Sequence, residues 1–220
     1  MSHRTCPGHD VRRHLFALVL YASSLALAMG ASSSPNIVLF YVDDLGWTDT
    51  SVPMIKGRSD TRSDFYQTPN LAGFAREGMV FSDAYAPAPV CTPSRNSMLY
   101  GMTPARLHNA TLNTDAASEK NMGVLSIPRA LKQADPSYVT AHFGKWHIGP
   151  KKGKAYAIDS FGGGETDRQE DIRGRDAGLY DSAVEFIKEN AKEPFYVNIW
   201  GHITHYPVNA PDEAVAKFSD

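Results

Sequence analysis

The sequence predicts an α/β domain in which a mainly parallel sheet is flanked by helices. Three observations lead there. Short apolar runs rich in β-formers recur at residues 36–42 (NIVLFYV), 138–143 and Phe195–Trp200 (FYVNIW). They show little alternation of polar and apolar residues, as expected of strands covered on both faces. Between them lie segments whose apolar residues have helical spacing, and strands alternating with helices call for crossover connections rather than hairpins.

Taken in order, residues 36–42 form the first strand. Thr68-Pro69 supplies an N-cap and a first-turn proline, and Leu71, Phe74 and Ala75 then share one helical face until Gly78 stops the helix. Residues 79–85 resume an extended pattern. A second helix is expected from Pro93 through Met98 and Leu99 to Gly101, and a third over residues 126–134 with Ile127, Ala130, Leu131 and Ala134 facing inward. The strand at 138–143 follows. Residues 149–175 are polar and glycine-rich, including Gly162-Gly163-Gly164, and read as surface loop. Tyr180, Ala183, Val184 and Ile187 have helical spacing and precede the last strand. The chain has no internal repeat and no low-complexity segment.

Residues 1–30 have the three parts of a secretory signal. Arg12 and Arg13 close a basic segment, residues 15–29 (LFALVLYASSLALAM) are apolar, and Ala28-Met29-Gly30 offers a small-x-small cleavage site. An uncleaved anchor is the alternative, but this run is shorter than the roughly 20 residues that span a bilayer. With the signal removed, no membrane span is expected. The 22 basic and 24 acidic residues of the whole chain fall to 19 and 23 without residues 1–30, which hold three arginines and one aspartate. The resulting charge of -4 is mildly acidic, with no basic stripe, and argues against a nucleic-acid partner. Residues 31–220 suffice for one domain with its own core. Asn109-Ala110-Thr111 is a glycosylation sequon, consistent with export.

In open α/β sheets, ligands gather beyond the carboxyl ends of the strands. Asp43-Asp44 follow the first strand, Lys145 and His147 follow the strand at 138–143, and His205 lies just past the last strand. Removal of Cys6 with the signal leaves Cys91 as the only cysteine, within Cys91-Thr92-Pro93-Ser94-Arg95. A lone cysteine in an oxidising compartment has no disulfide partner. It is either an incidental thiol ahead of a turn or a functional one.

Four motifs together resemble the sulfatase family, over the chain from Asn36 to Pro207. They are the opening strand ending in Asp43-Asp44-Leu45-Gly46, the C-x-P-S-R pentapeptide Cys91 to Arg95, Gly144-Lys145-Trp146-His147-Ile148-Gly149, and Thr204-His205-Tyr206-Pro207. The resemblance implies an alkaline-phosphatase-like fold and hydrolysis of sulfate esters. It implies that Cys91 is oxidised to Cα-formylglycine by a formylglycine-generating enzyme during export, its aldehyde hydrate serving as nucleophile. Asp43, Asp44 and the modified residue 91 would bind Ca2+, a hard cation that prefers oxygen ligands. Arg95 would brace the modified side chain and the metal ligands, and Lys145 would reach the hydrate and a sulfate oxygen. His205 would contact the bridging oxygen, with His202 as its competitor for that role. His147 would deprotonate the second hydroxyl of the sulfated hydrate and so expel sulfate. The implied partners are a sulfated small molecule, glycan or lipid, and the implied destination is extracellular, periplasmic or lysosomal.

Trp146 is expected to pack rather than bind, and His108 and His142 to serve the surface or the fold. Two departures stand out. Leu99-Tyr100-Gly101-Met102 replaces the family's L-T-G-R. The sequence also lacks the Asp-Asn pair and second lysine that complete the family's calcium site, and ends fifteen residues after His205. The expectation is therefore an incomplete N-terminal catalytic portion. Two alternatives are a catalytically impaired sulfatase-like binding protein and a phosphatase or phosphodiesterase of the same superfamily. The latter generally use serine or threonine as nucleophile, against which Cys91 argues.

Overall fold

The computed structural model describes residues 34–112, 123–149, 153–163, 173–208 and 210–216. The expected signal, residues 1–30, lies outside them. Four strands, β1 (Ile37–Tyr41), β2 (Val139–Gly144), β3 (Ser160–Gly162) and β4 (Phe195–Trp200), form one sheet in the order β1-β4-β2-β3, and every pairing is parallel. The helices are α1 (Pro69–Glu77), α2 (Cys91–Tyr100), α3 (Ile127–Ala134), α4 (Gly153–Tyr156), α5 (Ala177–Glu189) and α6 (Asp212–Val215), with a short 3-10 turn at Ser59–Thr61. No helix among the described residues is long and apolar enough to cross a membrane.

β4 lies between β1 and β2 and is buried at every position, which explains its uninterrupted apolar sequence. Its side chains alternate between two core layers. Phe195, Val197 and Ile199 join Ala141 and Phe143 of β2 and Leu179, Ala183 and Phe186 of α5. Trp200 points the other way, with Leu99 and Tyr100 of α2, Trp146, Ile148, Tyr156 and Ile158. Burying one such side chain contributes about 1.5–3 kcal/mol. Both layers thus rest on the central strands and hold the carboxyl ends of β1, β2 and β4 at one edge of the sheet.

Local signals set the helix ends. Ser126 caps α3 by accepting from the Arg129 N–H, and Pro128 sits in the first turn. Gly101, at φ 62°, closes α2 in the left-handed conformation. Thr68 does not cap α1 with its side chain; its hydroxyl instead accepts from the Ser51 N–H at 2.9 Å.

Several sequence expectations are corrected. β1 is covered on one face only, since Val38 and Phe40 are about half exposed while Ile37, Leu39 and Tyr41 turn inward. Residues 79–85 form no strand, and Met79, Phe81 and Tyr85 are largely exposed. α1 buries none of its residues, Leu71 and Phe74 included. Ala134 and Val184 face solvent, and Leu179 and Phe186 carry the inward face of α5 with Ala183. The glycine-rich stretch 149–175 contains α4 and the edge strand β3, with Tyr156 and Ile158 deeply buried; its residues 150–152 and 164–172 lie outside the described residues. Asn109 is 5% exposed, so its amide is a poor glycan acceptor. Trp146 and His142 pack in the core as expected, their rings 4.8 Å apart edge to face.

Candidate functional site

The site is assembled at the carboxyl ends of β1, β2 and β4, with α2 laid across them. Cys91 is the first residue of α2, and Arg95 lies one turn on, so the i, i+4 spacing of the pentapeptide sets both on one helical face. Pro93 is tolerated because it falls in the first turn, where its missing N–H costs no helical bond. The helix is seated deeply: Thr92 and Arg95 are fully buried and Ser94 nearly so. Ser94 shares a 3.1 Å hydrogen bond with the Tyr41 hydroxyl at the end of β1.

Arg95 organises the centre. Its guanidinium donates to Asp43 Oδ1 at 2.6 Å and to the Lys145 carbonyl at 2.6 Å. It is also flanked by the rings of Tyr41 and Trp200, 5.2 and 5.0 Å from its carbon, the last residues of two adjacent strands. Lys145 Nζ donates to the other oxygen of Asp43 at 2.5 Å. One buried carboxylate therefore sits between two cations, leaving the triad with one net positive charge. Burial opposes ionisation of Asp43 and is its largest single influence. The Arg95 charge and the hydrogen bond and charge of Lys145 outweigh it together and hold the carboxyl below its ordinary range.

Gly144 explains how Lys145 enters the site. It has φ 99°, and a side chain there would collide with the Trp200 carbonyl and Leu179. The backbone turns at this glycine while the Lys145 N–H still donates to the Trp200 carbonyl at 2.9 Å, so the sheet register carries one residue past β2. Two residues on, His147 adopts φ 49°, a left-handed conformation that costs a residue with a side chain about 1–2 kcal/mol. The Thr92 hydroxyl fixes it by donating to the His147 carbonyl at 2.9 Å. The result is a 3.0 Å contact between Cys91 Sγ and His147 Nδ1.

Asp44, also left-handed at φ 57°, is largely exposed. Its Oδ2 lies 3.9 Å from Nε2 of His205. The His205 Nδ1–H donates to the Tyr206 carbonyl at 2.6 Å. His202 is buried instead, bonded to Asp176 at 2.8 Å. All seven sequence-predicted site residues thus lie at one sheet edge: Cys91 beside His147, Asp43 between Arg95 and Lys145, and Asp44 facing His205. Asp176, Tyr41 and Trp200 were not anticipated. The terminal strand positions of Tyr41 and Trp200 were visible in the sequence, whereas no motif marks Asp176.

The donors at Asp43 and Asp44 suit calcium in type but not in number. Both oxygens of Asp43 are engaged, and among the described residues no group of three or more histidine, cysteine or acidic side chains is gathered to hold a metal. They form part of a calcium site at most, against the six to eight oxygens this ion takes.

A family model described as Sulfatase matches residues 35–220, nearly all of the chain beyond the expected signal. The chain belongs to the sulfatase family. It is 38% identical over 142 residues to mouse (Mus musculus) N-acetylgalactosamine-6-sulfatase, a match covering 60% of this chain and 25% of that protein. It is 36% identical over 132 residues to Bos taurus arylsulfatase A, covering 59% and 24% respectively. The matches to these curated relatives thus span about a quarter of their length. Among solved structures, Ps i-CgsB in complex with k-i-k-neocarrahexaose superposes with a TM-score of 0.69 at 24% identity, over 85% of this chain and 49% of that one. BT4656 in complex with its substrate D-glucosamine-2-N,6-O-disulfate gives 0.56 at 21% identity, over 79% and 35%. These two likenesses show the fold, which is the parallel α/β architecture expected of a sulfatase.

Proposed function

We propose that this sulfatase acts as a sulfuric ester hydrolase on sulfated sugars, with residue 91 as nucleophile after oxidation of Cys91 to formylglycine. The observation that carries the reading is the 3.0 Å contact of Cys91 with His147 beside the Asp43–Arg95–Lys145 triad. Sγ stands in for an oxygen of the hydrated aldehyde, which supplies a nucleophilic hydroxyl and a second hydroxyl whose deprotonation lets sulfate leave.

The residues of the chain divide the remaining work. The triad's net positive charge favours an anionic sulfate ester, and Asp43 holds Lys145 extended for it. His147 receives a residue-91 proton at Nδ1, the atom already within hydrogen-bond reach. With Nδ1 of His205 committed to the Tyr206 carbonyl, Nε2 is the ring atom that can pass a proton to the bridging oxygen as the alcohol leaves. Calcium, held by Asp43, Asp44 and residue 91 together with ligands beyond these, would offset the charge on the sulfate oxygens.

A sugar substrate is favoured because the relatives carry the name N-acetylgalactosamine-6-sulfatase and solved neighbours were captured with a neocarrahexaose and a glucosamine disulfate. Residues 1–30 act as the export signal, which brings the chain to a formylglycine-generating enzyme. The test is sulfate release from para-nitrophenyl sulfate by the protein expressed from its complete gene in a host with that enzyme. Wild type should hydrolyse it and Cys91→Ala should not. Hydrolysis by Cys91→Ala overturns the reading.

A further inference from the structure

Asp176 is 2% exposed and immediately precedes α5, where an aspartate ordinarily caps the helix. It makes no side-chain capping bond here. Its carboxylate instead accepts three hydrogen bonds from the segment after β4: the His202 N–H at 2.7 Å, the Ile203 N–H at 2.8 Å and the His202 Nδ1–H at 2.8 Å. Burial opposes its ionisation, and these bonds outweigh that, holding the carboxyl below its ordinary range. His202 Nε2 is buried with no hydrogen-bond partner among the described residues, so the ring is anchored through Nδ1 alone.

From that anchor the chain runs directly to the candidate acid. The His205 N–H donates to the His202 carbonyl at 2.9 Å, and the Thr204 N–H and hydroxyl both donate to the Asp43 carbonyl at 3.0 Å. The segment is thereby pinned at one point to α5 and at another to the backbone of Asp43. The His205 side chain is 40% exposed, and its Nδ1–H donates to the carbonyl of the next residue. That bond is local, and the 3.9 Å approach of Nε2 to Asp44 is to a largely exposed carboxylate, so the placement of the ring in the site rests chiefly on its backbone.

We infer that Asp176 and His202 are positioning residues that set His205 against the leaving oxygen of the ester. The inference rests on the sulfatase reading and deepens it: the second histidine of His202-Ile203-Thr204-His205 acts on substrate, and the first holds it there. Group placement matters because a displacement of about 1 Å by a remote change can cost roughly a hundredfold in rate. It matters most when the leaving alcohol is a poor one that needs a proton.

The test compares two esters in the full-length exported protein: para-nitrophenyl sulfate, whose leaving group departs without proton help, and galactose sulfated on its primary hydroxyl. Asp176→Asn and His202→Ala should each lower kcat/KM on the sugar ester by roughly 10- to 100-fold and on the aryl ester by less than about threefold. His202→Asn, whose amide nitrogen can replace Nδ1 as donor to Asp176, should recover most of the loss. In a His205→Ala background, Asp176→Asn and His202→Ala should add little, because the group they position is gone. Equal losses on both esters, undiminished losses in the His205→Ala background, or wild-type rates in both variants would overturn the inference. If Asp176→Asn fails to fold, the pair His202→Ala and His202→Asn decides alone. A wild-type protein inert to both esters would overturn the sulfatase reading and this inference with it, whereas an active wild type with indifferent variants would overturn only the latter.

Discussion

Replacing Arg95 with methionine removes a fully buried cation while keeping most of the side-chain volume. Three things are lost at once. Asp43, 4% exposed, keeps only Lys145 as a charged partner, the Lys145 carbonyl loses its 2.6 Å donor, and the rings of Tyr41 and Trp200 lose the guanidinium between them. Breaking a buried ion pair from one side costs about 3–5 kcal/mol. An orphaned carbonyl costs about 1–3 kcal/mol and a desolvated cation–π contact about 2 kcal/mol, but these share the same atoms and do not add. The methionine, apolar and flexible, returns part of the loss by packing on the two rings. A net destabilisation of about 3–5 kcal/mol at neutral pH is expected. With a urea m-value of about 2 kcal/mol per molar, that lowers the unfolding midpoint by roughly 1.5–2.5 M. Asp43→Asn in the Arg95→Met background should recover part of the loss, since the stranded charge is then gone. A midpoint shift below about 0.5 M in Arg95→Met, or no recovery in the double variant, would refute the view that Arg95 holds Asp43 in place.

Three further outcomes are expected. Mass spectrometry of the tryptic peptide containing residue 91, from a host with the modifying enzyme, should show formylglycine; an alkylatable thiol there would contradict the assignment. Lys145→Ala and His147→Ala should each lower turnover on para-nitrophenyl sulfate by roughly a hundredfold or more, and smaller effects would remove them from the catalytic group. Because the carboxyl of Asp176 is held below its ordinary range, its ionised form contributes stability above the unfolded value near 3.9, and this is lost as pH falls through the folded value. Urea midpoints measured from pH 5 down to about pH 3 should therefore fall less steeply in Asp176→Asn than in wild type, and equal slopes would contradict the assigned role.

How far the sequence carried the structure varied with the kind of signal. β4 was plain because a strand between two others has every position buried, and FYVNIW records that directly. β1 reads almost the same, yet among the described residues it pairs with β4 on one side only and leaves Val38 and Phe40 exposed, a difference that composition does not reveal. β3 has three residues, too few for a period to show, and lies in a glycine-rich stretch that resembles a loop. The candidate site residues could be picked out in the sequence because each follows a strand end or lies in a compact motif. Asp176 was not, since its only local context is the start of a helix and its partners are 26 and 27 residues away. His202 looked like a spare copy of His205, and only the fold separates an anchored ring from a projecting one.

The sheet order also sets a time limit on the proposed conversion of Cys91. Among the described residues β1 pairs with β4, and Tyr41 cannot meet Trp200, nor can both rings enclose Arg95, before β4 has been synthesised. Until then α2 lacks the walls that bury Thr92 to Ser97. Roughly 110 residues separate Cys91 from the end of β4, which at about 5–20 residues per second leaves an interval of roughly 5–20 s on the ribosome. The proposed modifying enzyme would have that interval, extended by the slow closure of contacts so distant in sequence, in which to reach the pentapeptide. Afterwards four of the five residues it would recognise are inside the protein.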